Sequence, residues 1–524
     1  MVKLNASSLD WALEHVKKEG DTDIFPRLFE IDAIADRWAI VRDELLKIHV
    51  ESHEWAGGRR VLIPKGKYSF RAATQLDPID TLILSALIYE YGQHIEEKRL
   101  PLTDNIVFSH RFNPSSDGLL YDENINWNLF WEESLEKAKK INDGYVIMAD
   151  VADYYNQIYH HVLENGLIEA NLPTEVRTAI KKLLKKLTHT ISRGIPVGPH
   201  AIHLLAEMSF NPIDNSLISH GYDFCRYVDD IHLFCESKEK AEITLWDLAD
   251  ILDKQQQLVL QSSKVKIMSV NEFIDLAEER VSDHPLNGVE DDILEVIEDH
   301  SSGDPYRAIN FSDLDEEEME ILSEENIESV LTEYLNDNNV SRIRWLIRRL
   351  SQIGAPGGIP FLIDNMMNLL SAIGDISKYL VSTEDTFKDI DGDWDDLGKR
   401  LITLLNLPLI DHSEFLKMTI INLFGKISEL DNTNYLTQIY NSEGSLFVKR
   451  KIIKAATKAN DKHWLYEIRT EFDSADPWLK RSIILSSSTF PSDQRKHWLN
   501  HIKRGNMTLL EITVMEWVKS GGTI

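Results

Sequence analysis

Cysteine is nearly absent: the 524 residues hold two, Cys225 and Cys235. That excludes a disulfide-stapled scaffold and a cysteine-rich zinc module. Both stand in apolar runs and are expected as buried, reduced thiols. No apolar run approaches the ~18 residues that a membrane-spanning helix needs. The opening MVKLNASSLDWALEHVKKEG is amphipathic with mixed charge, which is not the pattern of a secretory leader. A soluble cytoplasmic chain without a membrane partner is expected. His160, His161, His200 and His203 have no Cys or Glu at zinc-ligand spacing and read as structural histidines. Positive charge is also short, with 56 Lys and Arg against 86 Asp and Glu and a net charge of −30. A generic nucleic-acid coat is thereby excluded. The deficit is local, since Asp283 to Asp337 carries 19 acidic residues against one basic residue, Arg307. Elsewhere basic clusters stand out, at Lys181-Lys182 with Lys185-Lys186, at Arg342, Arg344, Arg348 and Arg349, and at Lys449-Arg450-Lys451. A local grip on nucleic acid stays open.

What the chain does have is a pair of aspartates between two short apolar runs, DFCRYVDDIHLFCES. The flanks are rich in aromatic and β-branched residues and predict a hairpin with Asp229 and Asp230 at its tip. Two adjacent carboxylates repel each other, and Asp is a poor strand residue, so a divalent cation is the natural remedy. Upstream, Tyr145 to Ala149 predicts a buried strand ending at Asp150, with Asp153 three residues on. Asp150, Asp229 and Asp230 would supply ligands for two Mg²⁺ ions that stabilise the attacking and leaving oxygens of a phosphoryl transfer.

Around these residues stand others in a fixed order. Asp150-Val151-Ala152-Asp153-Tyr154-Tyr155 precedes Arg193-Gly194-Ile195-Pro196-Val197-Gly198-Pro199, then Tyr227 to Asp230, then Leu258-Val259-Leu260-Gln261-Ser262-Ser263-Lys264. Ile63-Pro64-Lys65, Arg71, Pro78 and Asp80 lie upstream. The ordered set, over roughly residues 58–270, resembles the reverse transcriptases. The resemblance implies fingers and palm regions of a right-hand polymerase. It implies that Asp150 and Asp229 bridge two Mg²⁺ ions (Mn²⁺ being the alternative), with Asp230 peripheral and the Val151 carbonyl completing the set. Lys65 and Arg71 would neutralise the incoming triphosphate, and Lys264 would reach its phosphates. Asp153, Val197 and Gly198 would line the nucleotide site. Tyr155 would lie under the sugar, its ring rejecting a 2′-hydroxyl. Val197 stands where templated members carry Gln. The GIPVGP form, with Leu204-Leu205-Ala206-Glu207 after it, resembles the bacterial abortive-infection and defence-associated polymerases of the AbiK type.

After Asn338 the pattern becomes helical and repeats. Phe415 to Ile421 recurs as Phe447 to Ile453 and as Trp478 to Ile484, at offsets of 32 and 31. Lys462-His463-Trp464-Leu465 returns as Lys496-His497-Trp498-Leu499, offset 34. Two amphipathic helices at such a period predict an α-solenoid, similar to HEAT repeats. The expected class is α+β: fingers and palm without a standard thumb, then an all-α repeat domain. The expected division is an N-terminal helical extension (1–57), fingers (58–110), palm (111–272), an acidic connecting segment (273–337) and the repeat domain (338–524). The acidic segment reads as a solvated linker with short helices, or alternatively as a nucleic-acid mimic. Lys417, Lys449 and Lys480 recur in register and, with Arg348, would track a phosphate backbone.

The resemblance implies synthesis of DNA from dNTPs in anti-phage defence. It implies a start from a protein hydroxyl without a template, a single-stranded product attached to protein, and a homo-oligomer, trimer or hexamer. Tyr306 is a candidate priming residue, since no tyrosine precedes Tyr68. An RNA-templated enzyme copying a bound RNA, and an inactive polymerase fold serving as an interaction scaffold, are the alternatives.

Overall fold

Among the described residues six strands fall into two sheets, and one of these sheets carries the aspartates. In the computed structural model, which describes residues 1–22, 24–281, 287–301, 309–389, 392–430 and 433–524, β1 (Gly58–Gly66) and β2 (Ser69–Leu76) form a two-stranded sheet. A four-stranded antiparallel sheet runs in the order β4 (Asp223–Tyr227), β5 (Asp230–Cys235), β3 (Tyr145–Asp150), β6 (Lys266–Ser269). Among the described residues the chain divides into two compact units. The first is Met1–Ile31, Trp38–Arg60 and Ala73–His284, and the second is Asp32–Arg37, Val61–Ala72 and Pro285–Ile524.

In the first unit the sheet is the organising layer. Side chains alternate along a strand, so Val146, Met148 and Asp150 share one face of β3. Phe234, His232 and Asp230 of β5 lie opposite them in register. Helices Trp127–Lys139 and Val270–Val281 cover this face, with Phe130, Trp131 and Phe273 packed near Val146, Cys225 and Phe234. Helix Lys238–Gln256 covers the other face, and helix His203–Ser219 packs on it. Helix Pro78–Glu96 starts at Asp77, whose side chain accepts from the Ile79 N–H at 3.1 Å, with proline at the first helical position where no donor is needed. It is buried along most of its length. Cys225 and Cys235 are free, buried thiols.

The second unit is helical apart from its hairpin segment. Helices Glu414–Phe424, Leu446–Lys458, Pro477–Ser486 and Leu509–Lys519 each pack against the next. The first three open on equivalent caps, Ser413, Ser445 and Asp476, whose side chains accept from the N–H groups of Leu416, Val448 and Trp478. Their repeated apolar positions are buried: Ile420 and Ile421, Ile452 and Ile453, Ile483 and Ile484. The acidic stretch differs from a solvated connector. Its described residues form helices Gly288–Ser301, Glu316–Ile321 and Glu324–Asn336 within this unit. Ile293, Leu294, Ile297, Ile327, Val330 and Leu331 are buried there, and helix Val340–Ile353 packs on two of these helices. Apart from Glu290, which is buried against Tyr334 and Arg342, the described acids lie on the outer faces and mask an amphipathic period. Arg307 and Tyr306 lie outside the described residues.

Candidate active site

The three aspartates meet because register dictates it. β3 pairs with β5 so that Asp150 stands opposite Asp230, and β5 pairs with β4 so that Tyr227 also faces Asp230. Directly opposed residues of an antiparallel pair have Cβ atoms about 5 Å apart. A two-residue turn, Val228-Asp229, then places Asp229 beside them. Carboxylate oxygens of Asp150, Asp229 and Asp230 all lie within 4.8 Å of one another, the one cluster of metal-ligating geometry among the described residues. Burial, then the Asp230 and Asp150 charges, push the Asp229 carboxyl up to about 7. Such a crowded set of hard oxygen donors fits a divalent cation, which would offset the repulsion. Bound ions would polarise a phosphoryl group and its attacking oxygen.

Lys264 donates from Nζ to Asp150 Oδ2. Burial works against its charge, but the Asp150 bond and the Asp230 and Asp229 charges outweigh it and raise its pKa. The segment leading to Lys264 runs along the end of β3. Gln261 N–H donates to Asp150 O (2.8 Å), and Ala152 N–H donates to Val259 O (2.8 Å). Val151 is buried, its N–H given to Asp229 O at 3.2 Å. Tyr155 follows on the short helix Tyr154–Gln157, and its hydroxyl shares a 2.6 Å hydrogen bond with His203 Nδ1. Burial, then the Glu207, Tyr154 and Asp229 charges, hold its phenol well above the usual value. The segment Arg193 to Pro199 is tied to the same helix, Ile195 N–H donating to Tyr155 O at 2.9 Å.

Gly198 has φ +129°, and a Cβ there would lie 2.6 Å from the Thr74 carbonyl oxygen. The glycine is required by the chain's own β2 backbone, and Val197 O accepts from Thr74 N–H at 2.7 Å. Asp153 is exposed at φ +52°, and its carboxylate accepts from Asn156 and Gln157 rather than joining the triad. Lys65 and Arg71 are exposed on the β1–β2 hairpin, in the stretch grouped with the second unit. Asp80 is buried and accepts from the Gly57 N–H at 2.9 Å, with His53 Nε2 at 3.0 Å, a structural anchor.

The repeat-helix cations have partners within their own unit. Lys417 pairs with Glu443 at 2.6 Å and Asp411 at 3.1 Å. Lys449 sits over the Tyr440 ring at 4.7 Å, and Lys480 over Phe472 at 5.6 Å. Arg348 and Arg344 share Asp375 at 2.9 and 2.6 Å. Lys417, Arg344 and Arg348 are thus matched by carboxylates, whereas the ring contacts leave the charges of Lys449 and Lys480 in place. His160, His200 and His203 bond to or stack on neighbours in the first unit, as structural histidines do.

What sequence reasoning missed lies beneath the aspartate turn. Val228 adopts φ +55°, an uncommon state for a β-branched residue. It is held on both sides: its N–H donates to Ser109 Oγ at 2.9 Å, and its carbonyl accepts from Arg226 Nη1 at 2.8 Å. Arg226 also grips Asp214 through two bonds, 2.8 and 2.6 Å, and reaches Glu207 Oε2 at 3.1 Å. Arg99 donates to the same Glu207 oxygen at 2.8 Å, and Ser109 Oγ donates to Glu207 Oε1 at 2.5 Å. All five side chains are buried. The signal in the sequence is a lone arginine in an apolar strand and lone acids in an apolar helix, each demanding a counter-ion.

Residues 95–322 match the family model described as reverse transcriptase (RNA-dependent DNA polymerase). No curated protein matches the chain. Among solved structures, the apo telomerase of Candida tropicalis truncated from its C-terminal domain is similar at 12% identity and a TM-score of 0.30, over 42% of this chain and about half (52%) of that one. The telomerase of Candida albicans in complex with the TWJ fragment of telomeric RNA is similar at 11% identity and a TM-score of 0.31, over 76% of this chain and 69% of that one. No helix among the described residues is long and apolar enough to cross a membrane. The matched residues take in Asp150, Asp229 and Asp230, so this chain carries a reverse transcriptase domain, which indicates a nucleotidyltransferase.

Proposed function

We propose that the chain is a Mg²⁺-dependent DNA polymerase of anti-phage defence that extends DNA from a protein hydroxyl without copying a template. The triad of Asp150, Asp229 and Asp230 within 4.8 Å carries the chemical part of this reading. Asp150 and Asp229 would hold both ions, Lys264 would meet the phosphates once released from Asp150, and Tyr155 would face the sugar. Lys65 and Arg71, exposed on their hairpin, would neutralise a triphosphate. Two features support untemplated synthesis. Val197, an apolar residue, occupies the position where templated relatives carry Gln, and its carbonyl is already taken by Thr74. The chain also continues into stacked helices where a small thumb would otherwise follow. A cytoplasmic homo-oligomer, trimer or hexamer, belongs to the same reading.

Purifying the full chain and sequencing the nucleic acid that accompanies it tests the proposal. Random or homopolymeric DNA that stays with protein until protease is added is the expected result. A defined cDNA would establish RNA-templated copying instead, and the absence of any nucleic acid and of dNTP incorporation would leave a scaffold.

A further inference from the structure

A ring that excludes a 2′-hydroxyl must be held to a few tenths of an ångström, yet a tyrosine side chain turns about two torsions. Tyr155 is held at its far end. Its hydroxyl shares the 2.6 Å bond with His203 Nδ1, and the two rings meet edge to face at 5.8 Å and 79°. His203 is fixed in turn. It is the first residue of helix His203–Ser219, and its ring stacks on His110 at 4.2 Å and 9°. His110 Nδ1 lies 3.9 Å from Glu207 Oε1, and the His110 carbonyl accepts from Arg99 at 2.8 Å. Glu207 and Arg99 belong to the network that clamps the Val228 turn. Tyr155 and Asp229 are thus tied to one buried frame.

We infer that His203 is a positioning residue for sugar selection, which locks the Tyr155 ring beside the aspartates through its hydroxyl and couples it to the Glu207–Arg226 frame. This rests on the reading of Tyr155 as the residue under the sugar. Burial, then the neighbouring His110 and His200, keep His203 well below the usual imidazole pKa, so the ring is neutral. A neutral imidazole keeps the Tyr155 bond in either tautomer. The frame explains why a histidine suits a place where an apolar residue would pack as well: it offers one nitrogen to the phenol and a flat face to His110.

The test compares ribo- and deoxynucleotide incorporation by the full chain in Mg²⁺, as the ratio of kcat/KM for rNTP to that for dNTP. His203→Leu and Tyr155→Phe each remove one end of the bond. Each is expected to raise the ratio about 3- to 10-fold, the worth of one hydrogen bond. The double variant is expected to raise it no further than either single one, since both delete the same contact. His203→Gln, which can still bond the hydroxyl, is expected to recover most of the discrimination. Tyr155→Ala, which deletes the ring, calibrates the assay with the largest rise. A ratio unchanged in His203→Leu and Tyr155→Phe but raised in Tyr155→Ala overturns the inference and leaves the sugar-facing role intact. A ratio unchanged in Tyr155→Ala overturns both. Tyr155→Phe removes a single oxygen, so it decides the matter even where His203→Leu fails to fold.

Discussion

Replacing Arg226 by methionine probes the buried frame most severely. The guanidinium makes four bonds of 2.6 to 3.1 Å, to Asp214, Glu207 and the Val228 carbonyl. Methionine fills much of the volume but supplies none of them. Glu207 keeps Arg99 and Ser109, whereas Asp214, in the interior of helix His203–Ser219, loses the cation it grips. Breaking one partner out of a buried ion pair costs about 3–5 kcal/mol, a large part of the total stability of a domain. Hydrogen exchange of the amides in Asp223–Cys235, measured on the full chain, reads this locally, and protection is expected to fall by about 10²- to 10⁴-fold. The loss should depend on pH. Burial already pushes the Asp214 carboxyl up against the pull of Arg226. Without Arg226 its folded pKa rises further above the unfolded value. The folded variant then binds more protons than the unfolded chain, so its stability falls as pH rises. The gap from wild type is therefore expected to widen from pH 5.5 to pH 8. Adding Asp214→Leu should restore much of the protection, because it removes the stranded carboxylate. Protection within threefold of wild type in Arg226→Met, or a gap that narrows with rising pH, would refute the reasoning.

Gly198→Ala places a Cβ 2.6 Å from the Thr74 carbonyl at a φ of +129°. It should cost about 2–4 kcal/mol in a thermal or denaturant melt of the first unit, and an unchanged melt would show that β2 yields freely. Asp21 is buried and pushed up to about 7, by burial above all, against the hydrogen bond from Gln75. Its folded pKa lies above its unfolded one, so stability present at low pH is lost as pH rises toward 7. Asp21→Asn should therefore be more stable than wild type at pH 8, by about 2 kcal/mol more than at pH 5.5. Equal offsets in melts at the two values would count against this.

The aspartates were legible because each sits where a local pattern breaks, at the end of an apolar strand or between two. Nothing long-range is needed to see that three carboxylates there want a cation. The helices after Ser413 were legible from recurrence: Phe415 to Ile421, Phe447 to Ile453 and Trp478 to Ile484 match at offsets of 32 and 31, and each lies in a helix. The acidic stretch was legible as short helices but not as packed ones, because composition hid its apolar stripe: Leu294 or Ile297 counts little among so many acids. The lysine row was legible only in part. Register places Lys417, Lys449 and Lys480 on matching turns, but register is silent on Glu443, which lies 26 residues from Lys417 and takes its charge. The frame under the turn was the least legible. Arg226, Glu207, Asp214, Ser109 and Arg99 come from four separate segments, and only the folded chain brings them together. Val228 in a left-handed turn is unreadable from propensity, since a β-branched residue argues against that state until its two backbone bonds are seen.

The central claim is that Asp150, Asp229 and Asp230 bind divalent metal and use it to join deoxynucleotides. Incorporation of labelled dNTPs by the purified full chain tests it, with wild type and the Asp229→Ala, Asp230→Ala double variant compared in Mg²⁺ and in EDTA. The account predicts incorporation by wild type in Mg²⁺ alone, and background levels for the double variant under both conditions. Incorporation by the double variant at the wild-type rate, or by wild type undiminished in EDTA, would contradict it.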